Sequence, residues 1–277
     1  MINIKDPVFV IGAPKTGSTS LHIEFSNSNK YNYAGMKDTH LLSSKNFSLE
    51  EYSKYFKDNN YPIMEVDQNA AIYKRTFINI EKHFENSTLI YVVRNPRDRF
   101  FSAYKWLLKV GLVDSLEDAI QNEEEFMIKQ GLYKENIEKN ILLNCKSRII
   151  IVKFEDLVKK DGITFNKLKE MLDIKTSTNE KKPMLLHNKS TKPRSKILVQ
   201  LLKWFYRKIK YLTPNSLNQF IKSSPIINKI LFNDNETTLP AEDLKRYHKY
   251  KKYFHETEKF INNLDFKNGI FEIEKRI

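Results

Sequence analysis

Between Val8 and Leu21 the chain reads VFVIGAPKTGSTSL, an apolar run that stops at a glycine and passes through a hydroxyl-rich loop into helix-compatible sequence. Residues 8–11 are predicted to form a short buried parallel strand, Gly12 and Gly17 to supply backbone conformations closed to other residues, and residues 18–21 to open a helix. The first amides of a helix have no partner inside it, so a loop that ends there is suited to an anion. Gly12 and Gly17 stand at the spacing of the phosphate-binding pattern G-x-x-x-x-G-K-[ST], and Thr19 fills its last hydroxyl position, but Ser18 stands where the lysine belongs. The lysine of this loop is Lys15. Displaced in this way, it would meet a ligand of different length from the β- and γ-phosphates of ATP or GTP. An ordinary strand–turn–helix with a hydroxyl N-cap accounts for part of the same pattern. Yet only 7 glycines occur in 277 residues, and two of them fall here.

The alternation of strand and helix continues downstream. A short extended piece is expected over 31–34 and an amphipathic helix over 69–85. The run Thr88-Leu-Ile-Tyr-Val-Val93 suits a central parallel strand and ends in Arg94-Asn-Pro-Arg-Asp-Arg99, with Pro96 near the first turn of the next helix. A third strand over 148–153 precedes Phe154-Glu-Asp-Leu157 and a helix to about residue 172. A last helix, over 241–262, is rich in Tyr and Lys and is expected to pack on the sheet. This pattern predicts an α/β fold, a parallel β-sheet flanked by helices, of the P-loop nucleotide-binding type. Ligands bind such sheets at the carboxyl ends of the strands, where Lys15, Arg94 and Lys153 all fall. Arg94 and, about two helical turns on, Ser102 could together hold a dianionic phosphate. Pairing of Arg94 with Asp98, or helix capping, is the plainer alternative.

A chain of this length can bury a full α/β core, and one domain over residues 1–277 is expected, with a basic helical elaboration at about 183–236. Net charge is +13, but from Lys181 to Asn233 there is no Asp or Glu against 12 Lys and Arg, so nearly all of the excess sits in one segment. Its predicted helices cover 196–212 and 215–222. The first is read either as a core-packed helix with a solvated basic face, the preferred reading, or as an interfacial helix that contacts an anionic membrane or glycan. The single cysteine, Cys145, excludes an internal disulfide, and the 6 histidines show no metal-ligand spacing, so no metal is expected. The first residues carry neither a signal-peptide pattern nor a membrane anchor, which predicts a soluble cytoplasmic protein, peripheral to the inner face of a membrane if the interfacial reading holds.

At these residues the sequence resembles the sulfotransferases that use 3′-phosphoadenosine 5′-phosphosulfate (PAPS), closest in pattern to their glycan-modifying and bacterial branches. Pro14-Lys-Thr-Gly-Ser-Thr-Ser-Leu21 is similar to the family's loop for the 5′-phosphosulfate, and Arg94 with Ser102 to its pair for the 3′-phosphate. The match continues in Gly131-Leu-Tyr133 and in Val152-Lys-Phe-Glu-Asp-Leu157, and thins beyond about residue 160. Asn188-Lys-Ser-Thr-Lys-Pro-Arg194 resembles the basic loop that closes over the 3′-phosphate.

The resemblance implies donor contacts from Lys15, Thr16, Gly17, Ser18, Thr19, Ser20, Arg94, Ser102, Lys192 and Arg194, with PAPS as co-substrate, PAP (adenosine 3′,5′-bisphosphate) as product and no metal. It gives Lys15 a task at the bridging oxygen, where charge grows as the S–O bond breaks. Asp38-Thr-His40-Leu-Leu aligns with a family pattern like E-x-H-F-F, in which the Glu is the base; here the acid is one methylene shorter and both Phe are Leu. His40 is the rival base, since an unperturbed imidazole is matched to neutral pH. Lys37 could hold the acceptor or the sulfuryl oxygens. The implied function is sulfuryl transfer to a hydroxyl-bearing acceptor, of which a carbohydrate or glycolipid is one candidate. The alternatives are an ATP-dependent P-loop small-molecule kinase, disfavoured by Ser18 and by the lack of a Walker-B aspartate, and a basic nucleic-acid- or membrane-binding module. No nucleic acid is expected as a partner, because outside the basic segment the chain is nearly neutral.

Overall fold

The computed structural model describes residues 2–28, 30–57, 60–174, 183–185, 191–193, 232–236 and 239–274. Two compact units make it up, one of Met1–Phe100, Ile128–Asn188 and Tyr250–Ile277, the other of Phe101–Met127 and Lys189–Lys249. The described strands are β1 (Asn3–Gly12), β2 (Asn32–Tyr33), β3 (Pro62–Val66), β4 (Thr88–Val93), β5 (Arg148–Lys153), β6 (Thr191–Pro193), β7 (Phe232–Glu236) and β8 (Ile270–Ile273). The principal described helices are α1 (Ser18–Ser26), α2 (Leu49–Ser53), α3 (Lys74–His83), α4 (Pro96–Lys109), α5 (Leu116–Asn122), α6 (Ile163–Met171), α7 (Ala241–Arg246) and α8 (His248–Asn263).

In the first unit six strands lie in the order β2-β3-β1-β4-β5-β8. All neighbours are parallel except β8, which runs antiparallel to β5. A tight turn closed by Lys267 N to Ile270 O at 2.9 Å leads from the region after α8 into this last strand. The middle strands read as continuous apolar runs because both faces are covered. On one face Phe9, Ile11, Leu89, Tyr91, Ile149 and Ile151 form a core with Phe77 and Ile80 of α3 and Ile261 of α8. On the other, Val8, Val10, Ile90, Val92, Ile150 and Val152 pack with Leu21 and Phe25 of α1 and Phe165 and Leu168 of α6. The period-two alternation thus divides each strand between two cores, and each buried aliphatic or Phe side chain contributes about 1.5–3 kcal/mol.

The chain visits β2 and β3 on one side of β1 before crossing to β4 and β5 on the other, so the order reverses beside β1. In open parallel sheets it is at the carboxyl ends of the strands beside such a reversal that ligands bind. Three helical stretches differ from the periodicity. A single 3₁₀ turn (Ala70–Ile72) precedes α3, because Asp67 Oδ1 accepts the Asn69 amide at 3.0 Å and draws the backbone into a local turn. The helix expected to reach residue 172 is split into Phe154–Leu157 and α6 at Gly162, whose φ is 64°. The last helix is likewise divided, at Tyr247, into α7 and α8.

In the second unit β6 and β7 form a two-stranded antiparallel ladder. Tyr104 of α4 donates to Asp243 of α7 at 2.9 Å, and Arg246 bonds Glu117 of α5 at 2.8 Å. The helices expected at 196–212 and 215–222 lie outside the described residues. No helix among the described residues is long and apolar enough to cross a membrane.

Candidate active site

The loop between β1 and α1 is shaped by its glycines. Gly12 has φ +136°, and a Cβ there would lie 2.8 Å from the backbone oxygen of Gln68. No L-side chain fits that approach. Ala13 N donates to Val92 O at 3.0 Å, which binds the loop to β4, and the buried Thr16 hydroxyl donates back to Ala13 O at 2.6 Å. Gly17, at φ 82°, is the N-cap of α1, with no side-chain hydrogen bond capping the helix. The hydroxyl N-cap of the plainer sequence reading is therefore not what ends this helix. Leu21 N to Gly17 O at 3.0 Å is a bond of the first turn of α1, and the positive end of the helix dipole lies at the loop. Ser18 Oγ turns to Gln68 Oε1 at 3.2 Å, Ser20 is buried, and Thr19 is half-buried beside them. Lys15 itself sits in the left-handed region, at φ 70°.

Two arginines hold the other side of the loop. Arg94, just past β4, donates from Nη1 to the carbonyl of Lys15 at 2.9 Å, and its guanidinium lies 4.6 Å from the centre of the Phe154 ring. Arg99, fully buried on α4, reaches the carbonyl of Pro14 with Nε at 3.4 Å. Burial pulls both guanidinium pKa values below the ordinary arginine range, and both remain cations at neutral pH. Consecutive loop carbonyls are thus turned toward cations, which leaves the amide side for an anion. Glu155 accepts the Asn95 amide at 2.8 Å and so fixes the start of α4. Tyr133 of the Gly131-Leu-Tyr133 stretch accepts the Arg94 amide at 3.4 Å.

A second group gathers at the carboxyl end of β3. Asp38 accepts from the Gln68 amide at 2.9 Å, from Gln68 Nε2 at 3.1 Å and from Lys37 at 2.8 Å. Gln68 therefore bridges Asp38 to Ser18 of the loop. His40 is half-exposed, with Nδ1 3.2 Å from the buried carboxylate of Asp67. That hydrogen bond, outweighing partial burial, raises the imidazole pKa above its ordinary value. His22 of α1, by contrast, is pushed down by burial and by nearby Lys37. Among the described residues no group of three or more His, Cys, Asp or Glu is placed to hold a metal ion.

The structure thus brings Lys15, Thr16, Gly17, Ser18, Thr19, Ser20 and Arg94 into one loop assembly and links Asp38 to it. Ser102 lies half-buried on α4 within the second unit; Lys192 falls in β6, and Arg194 lies outside the described residues. Gln68, Asp67, Arg99 and Phe154 are contributors that the sequence did not single out. Asp67 is bonded to a group far away in sequence, so no local motif announces it, whereas Glu155 falls within the Val152–Leu157 stretch that the resemblance marks.

A family model for the sulfotransferase domain matches residues 5–260. The crystal structure of a sulfotransferase from Alicyclobacillus acidocaldarius has the same fold at a TM-score of 0.52 and 17% identity, covering 74% of this chain and 93% of that one. A 3-alpha-hydroxysteroid sulfotransferase of Cavia porcellus is 27% identical over 95 residues, which make up 33% of this chain and 33% of that protein. Protein PFC0760c of Plasmodium falciparum is 23% identical over 266 residues, 71% of this chain but 8% of its own length. The chain therefore spans a third or less of the length of these curated relatives. On the match over residues 5–260, the chain belongs to the sulfotransferase domain family.

Proposed function

We propose that this protein transfers a sulfuryl group from PAPS to a hydroxyl acceptor. The observation that carries the reading is the loop from Gly12 to Ser20, whose backbone carbonyls are held by Arg94 and Arg99 while Lys15 lies inside it and not at position 18. The donor set fits the group, since the N-terminus of α1, four hydroxyl residues and one lysine lie in a single short loop with no acidic residue between Gly12 and Leu21. When bound, PAPS supplies a sulfuryl group on a bridging oxygen that gains charge as the S–O bond breaks. Lys15 balances that charge; Thr16 to Ser20 hold the 5′-phosphosulfate by amide and hydroxyl. Arg94, Ser102, Lys192 and Arg194 are proposed for the 3′-phosphate on the strength of the family resemblance.

His40 is the favoured base. With Nδ1 held by Asp67, the neutral imidazole carries its proton on that nitrogen and keeps Nε2 as the acceptor for the acceptor hydroxyl's proton. Asp38 already receives three donors, which suits it to organise the loop and Lys37 more than to take a proton. A carbohydrate or glycolipid hydroxyl is the acceptor class proposed, from the likeness of residues 38–42 to the glycan-modifying pattern. Association with an anionic membrane or glycan through residues 196–212 remains a proposal drawn from charge alone. Transfer of label from sulfur-labelled PAPS to a panel of carbohydrate, glycolipid, steroid and phenol acceptors tests the reading. Label in a hydroxyl acceptor, lost in Lys15→Ala, supports it. Transfer of the terminal phosphate of ATP with no transfer from PAPS would establish the kinase alternative instead.

A further inference from the structure

The carboxylate of Glu65 is buried inside β3, yet it faces three polar groups instead of the core. Thr39 donates to its Oε1 from both the hydroxyl, at 2.5 Å, and the backbone amide, at 3.3 Å, and the fully buried Tyr52 of α2 donates to Oε2 at 2.5 Å. A carboxylate in such a place loses its hydration, a cost that an apolar residue of similar volume would avoid. What its bonds secure is a short turn. Asp38 and His40, on either side of Thr39, have φ values of 58° and 59°, a region that residues other than glycine occupy only where surrounding contacts impose it. Two residues along, Asp67 grips the third residue of the same turn through His40 Nδ1. The strand end therefore presents two carboxylates, one bonded to the centre of the turn and one to its imidazole.

We propose that Glu65 is a positioning residue: anchored by Tyr52, it clamps Thr39 by backbone and side chain and so fixes where Asp38 and His40 stand relative to the phosphate loop. The inference rests on the sulfuryl-transfer reading for its kinetic consequence but not for its geometry. It predicts that the clamp acts as a unit. Removing the Thr39 hydroxyl or the Glu65 charge frees the turn and loosens the His40–Asp67 bond, while the Gly12–Ser20 loop, linked to the turn through Gln68 and Asp38, keeps its own bonds to Val92 and Arg94 and so its ability to bind nucleotide. The charged groups around His40 are Asp67, Asp38 and Glu65 itself.

Three single variants of the full chain, Thr39→Val, Thr39→Ser and Glu65→Gln, and the Thr39→Val/Glu65→Gln double variant test this. The His40 ring is followed by proton–carbon NMR through a pH titration, PAP affinity by calorimetry, and kcat and KM with labelled PAPS. In Thr39→Val and Glu65→Gln the His40 midpoint moves down and kcat falls at least about tenfold, while the PAP Kd stays within about threefold. Thr39→Ser, which keeps the hydroxyl, recovers both the midpoint and most of kcat. The Thr39→Val/Glu65→Gln double variant is no worse than the worse single one. An unchanged His40 midpoint with kcat within about twofold in a folded Thr39→Val protein overturns the proposal, as does a Thr39→Ser variant as impaired as Thr39→Val. Should Glu65→Gln fail to fold, the half-buried Thr39 site still decides the matter. The NMR comparison needs no turnover, so a lack of turnover in the unmodified protein counts against sulfuryl transfer and not against the clamp.

Discussion

The Arg94 guanidinium donates to the backbone carbonyl of Lys15 at 2.9 Å, and through that bond the end of β4 determines how the loop after β1 is turned. The bond joins residues 79 positions apart, across the two strands between which the sheet order reverses. Arg94 thereby has two tasks, one on the protein's own loop and one proposed on the donor's 3′-phosphate. The main chain of Lys15 is thus held from β4, and its side chain is the one proposed to act on the donor.

Replacing Arg94 by Ala should therefore weaken PAP binding more than loss of one surface contact would. A hydrogen bond to a charged group contributes about 1.5–3 kcal/mol, which corresponds to roughly a ten- to hundredfold rise in Kd by calorimetry. Arg94→Lys should recover little, since an ammonium cannot both stack on Phe154 and reach the Lys15 carbonyl in the same way. Unchanged affinity in Arg94→Ala would remove Arg94 from the site.

Gly12→Ala should destabilise the whole chain. The added Cβ would press on Gln68 O, a backbone atom with nowhere to move, and φ +136° is closed to alanine. A loss of about 1–3 kcal/mol is expected from the strain alone and is read as a lowered melting temperature. Gly17→Ala, which would meet the movable Met184 Cε at 3.2 Å and Phe154 Cε2 at 3.3 Å, should cost less stability but distort the start of α1 and the PAP affinity with it.

The pH profile follows from His40. A base must be unprotonated, and Asp67 holds the His40 pKa above its ordinary value, so the acid limb of kcat/KM should lie higher than for a free imidazole. Asp67→Asn should move that limb to lower pH and reduce the plateau rate, because the imidazole loses both its charge partner and its orientation. A limb that stays in place in Asp67→Asn would exclude His40 as the titrating base.

Stability should also depend on pH through Glu65. Burial, and secondarily the charge of Asp67, push its carboxyl pKa up to about 7 from an ordinary 4.5. Between those values the folded state binds more protons than the unfolded one, so this group's contribution to stability falls as pH rises from about 4.5 through about 7. His40 acts in the same sense: its raised pKa adds stability that is present below about 6.5 and lost as pH rises through the folded value. Denaturant melts of the wild type and Glu65→Gln from pH 5 to 8 should show the difference between them shift in favour of the variant as pH rises. A difference independent of pH would contradict this.

The strands that carry the loop and Arg94 could be read from sequence because β1, β4 and β5 are buried on both faces and written in unbroken apolar runs. β3 was not legible: Pro62–Val66 is five residues long and contains Glu65, whose burial is made possible only by Tyr52 and Thr39, from elsewhere in the chain. For the same reason Gln68 and Asp67 carried no signal, since their partners Ser18, Asp38 and His40 meet them only through the pairing of β3 with β1 and the return of the 38–40 turn. Lys15 stood out by its misplacement in a known spacing; Asp38 and His40 did so only through family likeness. The buried Arg99 reads in sequence as one more surface cation, because its partner is a backbone carbonyl and not a side chain.

The displaced lysine is proposed to mark a donor of PAPS type. Calorimetric titration of the unmodified protein with PAP and, separately, with ATP plus magnesium tests it most directly, with Lys15→Ala and Arg94→Ala alongside. Saturable 1:1 binding of PAP, weakened by Arg94→Ala, and a melting temperature raised by PAP are expected, with neither effect from ATP. Binding of ATP with none of PAP would contradict it.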